Sequence, residues 1–393
     1  MTDPRFNDPL TRLELLRRAA AGGAVLSLPA LLAACGGDGI EGSAGQTGPE
    51  TTTAVAKELA EELVFANWPL YIDQKGKRRP TLEKFEQETG VRVRYVEEVN
   101  DNEEWFGKYQ AQLNAGDDIG RDIVVLTDWM AARMIRLGYV QATDKSAIPN
   151  EANLVANLQS PAWDPERTYS LPWQSGMTGI AYNKKTIGVV NTIDQLLTDP
   201  KLKGKVTCLT EMGDTIGLIM AAQGNDPESV TDEAFSEAIS ALQDAVDSGQ
   251  IRRFTGNDYT EDLDAGNVWA CMAWSGDIAA GLKNPDIEWT VVDTKSHIWT
   301  DNMLIPNGGD VFTASTYMNF VYDPVVAAEI AAWVYYICPV EGAEEEIAQF
   351  DESAVGNELI FPSEETRAQT FIFDAEAADN PDYKEQFQAV IGA

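Results

Sequence analysis

Four segments of the sequence place aromatic residues beside acidic or polar ones where an apolar, β-branched run ends: NWPLY, LTDW, TEMGD with AWSGD, and IWTD. The faces of aromatic rings pack on methylene groups and attract ammonium cations, and carboxylates neutralise positive charge in a buried site. These segments therefore predict a binding site for a flexible organic cation. The side chains that we expect to line it are Trp68, Tyr71, Asp128, Trp129, Glu211, Asp214, Trp274, Trp299 and Asp301.

Two other kinds of site use some of the same residue types. Tryptophan platforms also bind sugars, so an oligosaccharide ligand stays open as an alternative, although sugars gain little from carboxylates. Paired carboxylates can hydrolyse glycosides, but no pair here has a recognisable acid and nucleophile context. His297 is the only histidine and no Cys/His metal spacing occurs, which argues against a Ser-His-Asp triad or a zinc site. The sequence thus predicts a binding protein that is not an enzyme and uses no metal and no cofactor.

The chain is strongly acidic, with 63 Asp and Glu against 29 Lys and Arg and a net charge of -34 over 393 residues. A negative field of this strength excludes nucleic acid as a partner and favours cations. A solvated acidic surface accounts for most of the excess, so the charge alone gives only weak support to a cationic ligand. The length of the chain is enough for two globular lobes.

The N-terminal segment has the features of an export signal. Arg12, Arg17 and Arg18 precede the run AAAGGAVLSLPALLAAC, which is too short to span a membrane well and stops at Cys35. Its last five residues, LLAAC, match the lipobox of bacterial lipoprotein signal peptides, in which the cysteine thiol takes the lipid. We expect residues 1–34 to be the signal peptide and Cys35 to be lipidated. The alternative is an ordinary signal peptide in which this cysteine is incidental.

The Gly, Ser and Thr tract that follows predicts a flexible tether over residues 35–62. The mature chain is then expected outside the cytoplasm, in the periplasm or at the cell surface, and held to the membrane only through the lipid. The pair Arg17-Arg18 does not complete a twin-arginine motif, so the export route, Sec or Tat, stays open.

Strands and helices alternate in the predicted structure that must position the candidate residues. The first half of the chain predicts strands at 64–68, 91–99 and 122–129 and helices at 80–90, 103–116 and 130–138. The second half predicts strands at 205–210, 267–274 and 289–294, a helix with Asp214 as its N-cap, and helices at 232–249 and 323–340, the last ended by Pro339. This alternation favours parallel sheets in two α/β lobes, between which the chain crosses more than once.

Cys208 and Cys271 each lie in an apolar run with the character of a strand. In an oxidising compartment they could form a disulfide if their strands are neighbours. Single buried thiols are at least as compatible with the sequence, so both interpretations stay open.

Several segments, taken in order, match a known family: NWPLYI, KFEQETGVRVRYVEEVNDNEEWFGKY, DIVVLTDWMAARM, YSLPWQSGMTGIAYN, LTEMGDTIGLIM, FTGNDYTEDLDAGNVWACMAWSGD and IWTDNMLIP. In these segments the chain resembles the periplasmic or lipid-anchored polyamine-binding proteins of bacterial ABC importers, the spermidine/putrescine type. The resemblance extends from about Leu63 to about Pro362. NW..Y, PWQSG.TGIAYN and the late W.D together make it specific.

The resemblance implies an α/β fold of the periplasmic-binding-protein-like type II, with two α/β lobes and a hinge of two crossing strands. Lobe 1 would comprise residues 63–180 with 302–365, and lobe 2 residues 181–301 with 366–393. The lobes would close on putrescine or spermidine, and the protein, a monomer, would pass this polyamine to the permease subunits of an ABC importer.

The resemblance also implies roles for individual residues. Trp68 and Tyr71 would wall the site from the first lobe. Trp274 and Trp299 would sandwich the methylenes of the ligand from the second lobe or the hinge. Asp301 would take the amine that the aspartate of the family's W.D motif takes.

The acidic ligands of the family do not match this chain directly. In an ungapped match they fall on Met212 and Thr215, while the acids stand at Glu211 and Asp214. A small shift of the loop could bring either acid into the site, and the sequence does not choose between them.

Other departures concern single contacts. Pro69 replaces a polar residue and cannot supply a side-chain hydrogen bond, and Trp129 stands where the family commonly has a tyrosine. A late aromatic contact of the family has no clear match, because Leu359 and Phe361 are both candidates.

Overall fold

The computed structural model describes residues 57–256, 258–280, 282 and 284–392. The predicted signal peptide, the predicted lipidation site Cys35 and the predicted tether up to residue 56 lie outside the described residues. The first strand begins at Glu62, which the sequence had placed at the end of the tether. None of the described helices combines the length and the apolar character that crossing a bilayer requires.

Helices and strands alternate through most of the described chain. The strands are β1 (Glu62–Asn67), β2 (Arg92–Glu97), β3 (Ile123–Thr127), β4 (Val140–Gln141), β5 (Ser170–Asn183), β6 (Val206–Leu209), β7 (Ile251–Thr255), β8 (Ala270–Trp274), β9 (Ile287–Thr290), β10 (Ser296–Pro306) and β11 (Thr370–Phe371). The helices are α1 (Pro80–Thr89), α2 (Asn102–Ala115), α3 (Asp128–Arg136), α4 (Lys184–Ile187), α5 (Ile193–Thr198), α6 (Met212–Ala222), α7 (Asp232–Asp247), α8 (Tyr259–Ala265), α9 (Ser275–Ala279), α10 (Val311–Val321), α11 (Pro324–Val334), α12 (Ala343–Glu346), α13 (Glu364–Ala368), α14 (Ala375–Ala378) and α15 (Pro381–Ile391).

Within the described residues, the strands form one 11-stranded sheet in the order β2-β1-β3-β10-β5-β8-β6-β7, with β4 and β11 added to β10 and β9 added to β5. β1 is parallel to β2 and β3, and β6 is parallel to β7 and β8. β5 and β10 run antiparallel to each other and to their neighbours β8 and β3. The sheet therefore has two parallel parts joined by two long strands.

The strands β5 and β10 are the two crossing strands that the resemblance implied. All residues of β5 are buried. β10 pairs with Gln174–Thr178, the middle of β5, up to Asp301 and, after a bulge between Asp301 and Asn302, with Ser170–Pro172 at its start. Because a bulge bends its strand and redirects the side chains beside it, Asp301 lies at the point where β10 passes from one part of the sheet to the other. The predicted lobe boundaries stay a prediction.

A buried polar network fixes this bulge. The Arg167 guanidinium donates from Nη1 to Ser170 Oγ at 3.0 Å and to Asn302 Oδ1 at 2.8 Å. Asn302 Nδ2 in turn donates to Asp128 Oδ1 at 2.8 Å, and the backbone N–H of Thr300 donates to Asp128 Oδ2 at 3.1 Å. Both oxygens of the Asp128 carboxylate are thus engaged in holding the crossing strand.

Successive side chains of β1 and β3 point to opposite faces of the sheet, and both faces of this part are buried. Phe65 and Val125 belong to the large core that continues along β5 and beyond it. Ala66, Val124 and Leu126 belong to a smaller core, which α2 and α3 cover. Strands buried on both faces read as continuous apolar runs, which is why the sequence predicts these strands well.

Two predicted boundaries near the candidate residues are wrong by about two residues. β3 ends at Thr127, so Asp128 and Trp129 open helix α3 and do not end the strand. Likewise α6 begins at Met212, which puts Asp214 in its first turn and not at its N-cap. Acidic residues are favourable throughout the first turn of a helix, because the unpaired N–H groups there are partly positive. The sequence pattern therefore does not fix which acid precedes the helix.

The end of the late helix is also different from the prediction. α11 ends at Val334, because Tyr335 takes the left-handed conformation with φ 57°, and Pro339 lies outside the helix. The backbone after this turn pairs with the crossing strand, since Ile337 N donates to Ser175 O at 2.7 Å. Tyr336 is consequently carried to the side of β5. The predicted strand at 289–294 likewise stops early, because β9 ends at Thr290.

Cys208, Cys271 and Cys338 are free, buried thiols. β6 and β8 are indeed parallel neighbours, but the residue opposite Cys271 is Thr207. Because successive side chains of a strand point to opposite faces, Cys208 and Cys271 project from opposite faces of the sheet. The second of the two interpretations, separate thiols, is therefore the one that the structure supports.

Candidate functional site

The candidate residues come from strands of the two parallel parts, which run in opposite directions and end facing each other near the middle of β5 and β10. Trp68 follows β1, Asp128 follows β3, Glu211 follows β6 and Trp274 ends β8. These strands run in parallel within each part of the sheet, and ligands of open α/β sheets bind at the carboxyl ends of such strands. β10 runs between these facing strand ends and contributes Trp299 and Asp301.

Four aromatic rings form a continuous row at the site. The ring of Trp274 lies 6.3 Å from that of Trp299, in a T-shaped contact. The Trp299 ring lies 5.7 Å from the ring of Tyr336, which lies 5.2 Å from the ring of Tyr71. The two outer contacts are T-shaped and the middle one is tilted by 54°. Such a row can offer both apolar contact and electron-rich ring faces to a ligand.

Tyr336 is the site residue that sequence reasoning missed. The sequence left Leu359 and Phe361 as candidates for a late aromatic contact, whereas Tyr336 supplies one through its contacts with Trp299 and Tyr71. Its hydroxyl donates to Asp277 Oδ1 at 3.1 Å, which fixes the ring. The only local signal is a pair of tyrosines directly after helix α11.

Asp301 is a buried carboxylate that forms no salt bridge with the described residues. It is 3% exposed, and its Oδ1 accepts a hydrogen bond from Thr127 Oγ1 at 2.7 Å. Burial raises the pKa of Asp301 to about 7, although the bond from Thr127 opposes this increase. The buried hydroxyl of Tyr71 lies near the Asp301 carboxylate, but its geometry does not meet that of a hydrogen bond to any described residue. A cation that donates hydrogen bonds would therefore be stabilised at the Asp301 end of the row.

Asp214, by contrast, is fully engaged by the protein. Its Oδ1 accepts from Thr178 Oγ1 at 2.5 Å and lies 2.6 Å from His297 Nδ1, and its Oδ2 accepts from Trp274 Nε1 at 2.9 Å. Thr178 Oγ1 also accepts from Trp299 Nε1 at 3.0 Å. Asp214 thus orients the indole of Trp274 directly and that of Trp299 through Thr178.

Glu211 has a very different environment from Asp214. Its Oε1 accepts only a long hydrogen bond of 3.4 Å, from Asn102 Nδ2, and no described Lys, Arg or His forms a salt bridge with it. Burial, followed by the charges of Asp101 and Asp214, raises the pKa of Glu211. Glu211 is therefore a second carboxylate for which a cation would be favourable.

A short polar chain connects the two carboxylates that lack a cation. Asn102 Nδ2 donates to Thr127 Oγ1 at 2.9 Å as well as to Glu211, and Thr127 Oγ1 donates to Asp301. Thr127 N also donates to Asn102 Oδ1 at 3.1 Å, which holds the amide in place. Asp301 and Glu211 are consequently separated by no more than three hydrogen bonds in series.

The remaining candidates lie beside this arrangement. Trp68 donates from Nε1 to Val125 O at 3.1 Å, so its indole is anchored on the end of β3. The ring of Trp129 lies close to two cations of the protein, with Arg133 Cζ and Lys384 Nζ each 5.3 Å from its centroid. Among the described residues, neither indole makes a ring contact with the four-ring row.

Gly176→Ala tests how closely the row is packed. A Cβ at Gly176 would lie 2.4 Å from Trp299 Cζ2 and 2.6 Å from Cη2, so the ring must move. We expect the substitution to lower the free energy of unfolding by about 1–3 kcal/mol and to change tryptophan fluorescence, because overpacking strains a filled core. Chemical denaturation followed by fluorescence measures both effects.

Gly107→Ala is the matched control, since nothing lies within 4 Å of the Cβ position at Gly107. It should keep the emission spectrum of the native protein and its stability or raise it slightly, because alanine favours a helix interior. A Gly176→Ala protein with the stability and spectrum of the control would contradict the packing of Trp299 described here.

The row of rings and the two carboxylates that pair with no described cation form a candidate ligand site, carried on an α/β sheet that two long strands cross. These features define a solute-binding protein. The chain belongs to the family of bacterial extracellular solute-binding proteins, whose model, described as "Bacterial extracellular solute-binding protein", matches residues 81–354. The family consists of extracytoplasmic binding proteins for transport and not of enzymes.

Two relatives show how far the similarity extends. The chain is 25% identical over 292 residues to the putrescine/cadaverine-binding protein of Pseudomonas aeruginosa, covering 70% of this chain and 79% of the relative. It is 24% identical over 311 residues to the spermidine/putrescine-binding periplasmic protein of Escherichia coli, covering 77% and 84%.

Solved structures confirm the predicted type II fold. The chain is similar to the spermidine/putrescine ABC transporter substrate-binding protein PotD of Streptococcus pneumoniae, with a TM-score of 0.69 and 23% identity over 84% of this chain and 100% of that chain. It is also similar to the Tp0655 (TpPotD) lipoprotein of Treponema pallidum, with a TM-score of 0.71 and 22% identity over 84% and 100%.

Proposed function

We propose that this protein captures a polyamine, putrescine or spermidine, outside the cytoplasm and delivers it to an ABC importer without chemically changing it. One observation carries the proposal. Asp301, near the Tyr71 end of a row of four aromatic rings, is linked through Thr127 and Asn102 to Glu211, and neither carboxylate pairs with a cation of the described residues. Desolvated carboxylates are costly unless a cation pairs with them. A polyamine supplies ammonium groups for the acids and methylenes for the rings.

Each part of the ligand has a partner in this proposal. An ammonium group binds Asp301 with a charge-assisted hydrogen bond and lies near the unpaired hydroxyl of Tyr71. A second ammonium group binds Glu211. The methylenes between them pack on the indoles of Trp274 and Trp299, and the ring faces add cation–π attraction of about 0.5–2 kcal/mol.

The other candidates support the site. Asp214 positions the two indoles and Asp128 holds the bulge of β10, because their oxygens are already used within the protein. The sequence left both Glu211 and Asp214 as candidate ligands. We choose Glu211, because the oxygens of Asp214 already accept hydrogen bonds from the protein. Trp68 and Trp129 stand at the rim of the proposed site.

Closure of two lobes around the ligand is the proposed mechanism. Asn102 begins α2, which follows β2, and Glu211 directly precedes α6, which follows β6 in the other part of the sheet. The 3.4 Å bond between them joins those parts. Arg133 on α3 pairs with Asp379, and Glu103 Oε1 lies 2.7 Å from Lys384 Nζ. A ligand that binds Asp301 and Glu211 at once makes contacts that only this closed arrangement allows, and it therefore favours closure.

Delivery requires that the protein stays near the membrane. We propose that Cys35 carries a lipid after removal of residues 1–34 and that the following tether lets a monomer reach the permease subunits. The lipobox LLAAC supports the anchor, and the family of the chain supports the importer.

An oligosaccharide is the second candidate ligand, because indoles also stack on sugars. The names of the relatives, which bind putrescine, cadaverine or spermidine, favour the polyamine. The two carboxylates favour it as well, since neutral sugars provide no charge to offset their burial.

Native mass spectrometry tests this proposal directly. The purified protein, offered putrescine, spermidine and spermine together, should retain a polyamine, and the same polyamine should raise the melting temperature. Maltooligosaccharides serve as the control and should leave the melting temperature unchanged. If sugars raised the melting temperature and polyamines did not, the result would favour the oligosaccharide as the ligand.

A further inference from the structure

Five carboxylates belong to the candidate site or to the hydrogen-bond network around it, but they are not equivalent. Three of them accept hydrogen bonds on both oxygens from the protein, and two have no cation and few donors. The first group comprises Asp128, Asp214 and Asp277, and the second comprises Asp301 and Glu211.

The protein itself satisfies the first group. Asp214 shares a hydrogen bond with His297, whose imidazole stacks on Phe371 at 5.2 Å with an interplanar angle of 15°. Asp277 accepts from Tyr259 Oη at 2.8 Å and from Tyr336 Oη. A ligand ammonium group that reached either acid would have to displace donors that are already well placed, so it would gain little.

The second group defines the distance between two ammonium sites. Asp301, Thr127, Asn102 and Glu211 are linked by hydrogen bonds of 2.7, 2.9 and 3.4 Å. This sets an upper limit on the separation of the two carboxylates, and the limit is compatible with one short alkyl chain between two nitrogens. Asp101 adds negative charge beside Glu211, while its own Oδ1 caps α2 through Glu104 N at 3.0 Å.

We propose that the site selects a short α,ω-diamine over a triamine. This inference rests on the proposed function, because it concerns the same polyamine site. Two open carboxylates pair with two ammonium groups, and the short connection between them favours a chain of about four or five carbons. Among these five carboxylates, the third nitrogen of a triamine finds none that the described residues have left open.

The physical basis is the cost of removing an ammonium group from water. An unpaired charge in a buried site loses its hydration without compensation, whereas a paired one regains most of it. A triamine that places two nitrogens on Asp301 and Glu211 must bury its third ammonium group among rings and satisfied acids, or leave that arm outside and obstruct closure.

Calorimetric titration with a series of amines tests the selection. The probes are n-butylamine, the diamines with three to six carbons, and spermidine, all at one pH and ionic strength. We expect the affinity to be highest for four or five carbons and to fall at least about tenfold for spermidine and for butylamine, a factor that corresponds to one pairing of about 1.4 kcal/mol. Equal or tighter binding of spermidine would overturn the inference.

The variant Glu211→Gln tests whether Glu211 is the acid that binds the second ammonium group. In this variant the preference for putrescine over butylamine should fall from at least about tenfold to less than about threefold, because the second ammonium group has lost its charged partner. Glu104→Gln, an exposed acid at the start of α2, is the control and should keep the full preference. If Glu211→Gln kept the full preference for putrescine over butylamine, Glu211 would not be the acid that binds this nitrogen, and the inference would be overturned.

The results separate this inference from the proposed function. If no amine of the series binds the wild-type protein, the polyamine function itself fails. If diamines and spermidine bind equally well, the polyamine function stands and only the selection fails. Circular dichroism of each variant checks that it is folded before its affinities are compared.

Discussion

Asp301→Asn should weaken polyamine binding by roughly 1.5–3 kcal/mol, the range for a hydrogen bond to a charged group. Asparagine has the shape of aspartate and can still accept from Thr127 Oγ1, so the fold around the β10 bulge should stay intact. What is lost is the negative charge that pairs with the ligand ammonium group. Calorimetric titration of both proteins with the same polyamine measures the difference.

The pH dependence of binding provides a second measurement on the same pair of proteins. Because burial raises the pKa of Asp301 to about 7, the carboxyl is protonated in much of the ligand-free protein below that pH. A polyamine requires the ionised form, so the affinity of the wild type should rise as pH increases from about 5 to 8. In Asp301→Asn the rise should be smaller, with only the contribution of Glu211 left.

The stability of the ligand-free protein should change in the opposite direction. Between the ordinary pKa of 3.8 and the raised value of about 7, folded Asp301 holds a proton that the unfolded chain has released. The contribution of Asp301 to stability is therefore complete below this window and is lost as pH rises through it. Urea denaturation across the window measures this loss, and Asp301→Asn should show less of it.

Unchanged affinity in Asp301→Asn would remove Asp301 from the ligand site. A loss of affinity that is the same at pH 5 and pH 8 would show that the variant acts through shape and not through charge. Denaturation at one pH distinguishes either result from partial unfolding.

The convergence of the site could be predicted from strand ends. Trp274 ends β8, Tyr71 follows β1 by a few residues, and Trp299 and Asp301 lie on β10. Apolar runs locate strands well. Within each parallel part the carboxyl ends lie together, and the ends of the two parts face each other where β5 and β10 join them. Residues defined by this rule therefore gather at the site even though the exact ends of β3 and α6 were misplaced.

Tyr336 could not be predicted by the same rule. It follows a helix, and it reaches the row only because Tyr335 adopts the left-handed conformation and Ile337 then pairs with Ser175 of β5. Such a turn depends on tertiary contacts that stabilise an uncommon φ at a residue other than glycine. The sequence shows two adjacent tyrosines but not the direction in which the chain leaves the helix.

The sequence also could not distinguish Glu211 from Asp214. The two acids are three residues apart on one short segment, and the composition around them is similar. They differ in their partners, since the donors to Asp214 come from β5, β8 and β10, while Glu211 accepts only from Asn102. Distant strands thus decide which carboxylate is open, and no local pattern encodes that choice.

Asp214→Ala should lower the free energy of unfolding by about 3–5 kcal/mol, because it removes one acceptor that three donors share. Thr178, His297 and Trp274 would each lose a hydrogen bond to a carboxylate that is 3% exposed. Buried donors without partners cost more than the bond itself contributed. Urea denaturation of the ligand-free protein measures the loss.

Glu211→Gln is the matched comparison, because it changes the other acid of the same segment. Burial raises the pKa of Glu211, so at neutral pH its ionised form makes the folded state less stable. Neutralising it should leave stability unchanged or raise it, while weakening the binding of a diamine. Asp214→Asn should fall between, since one amide oxygen can still accept from part of the network.

Substitutions of the two acids should therefore have opposite effects on stability and on affinity. A residue that positions others reduces stability when it is removed, and it reduces affinity only because the indoles of Trp274 and Trp299 lose their orientation. A residue that binds the ligand directly reduces affinity and leaves stability intact. If Asp214→Ala unfolded at the urea concentration of the wild type while Glu211→Gln was strongly destabilised, the two assignments would have to be exchanged, and Asp214 would become the acid that binds the second ammonium group.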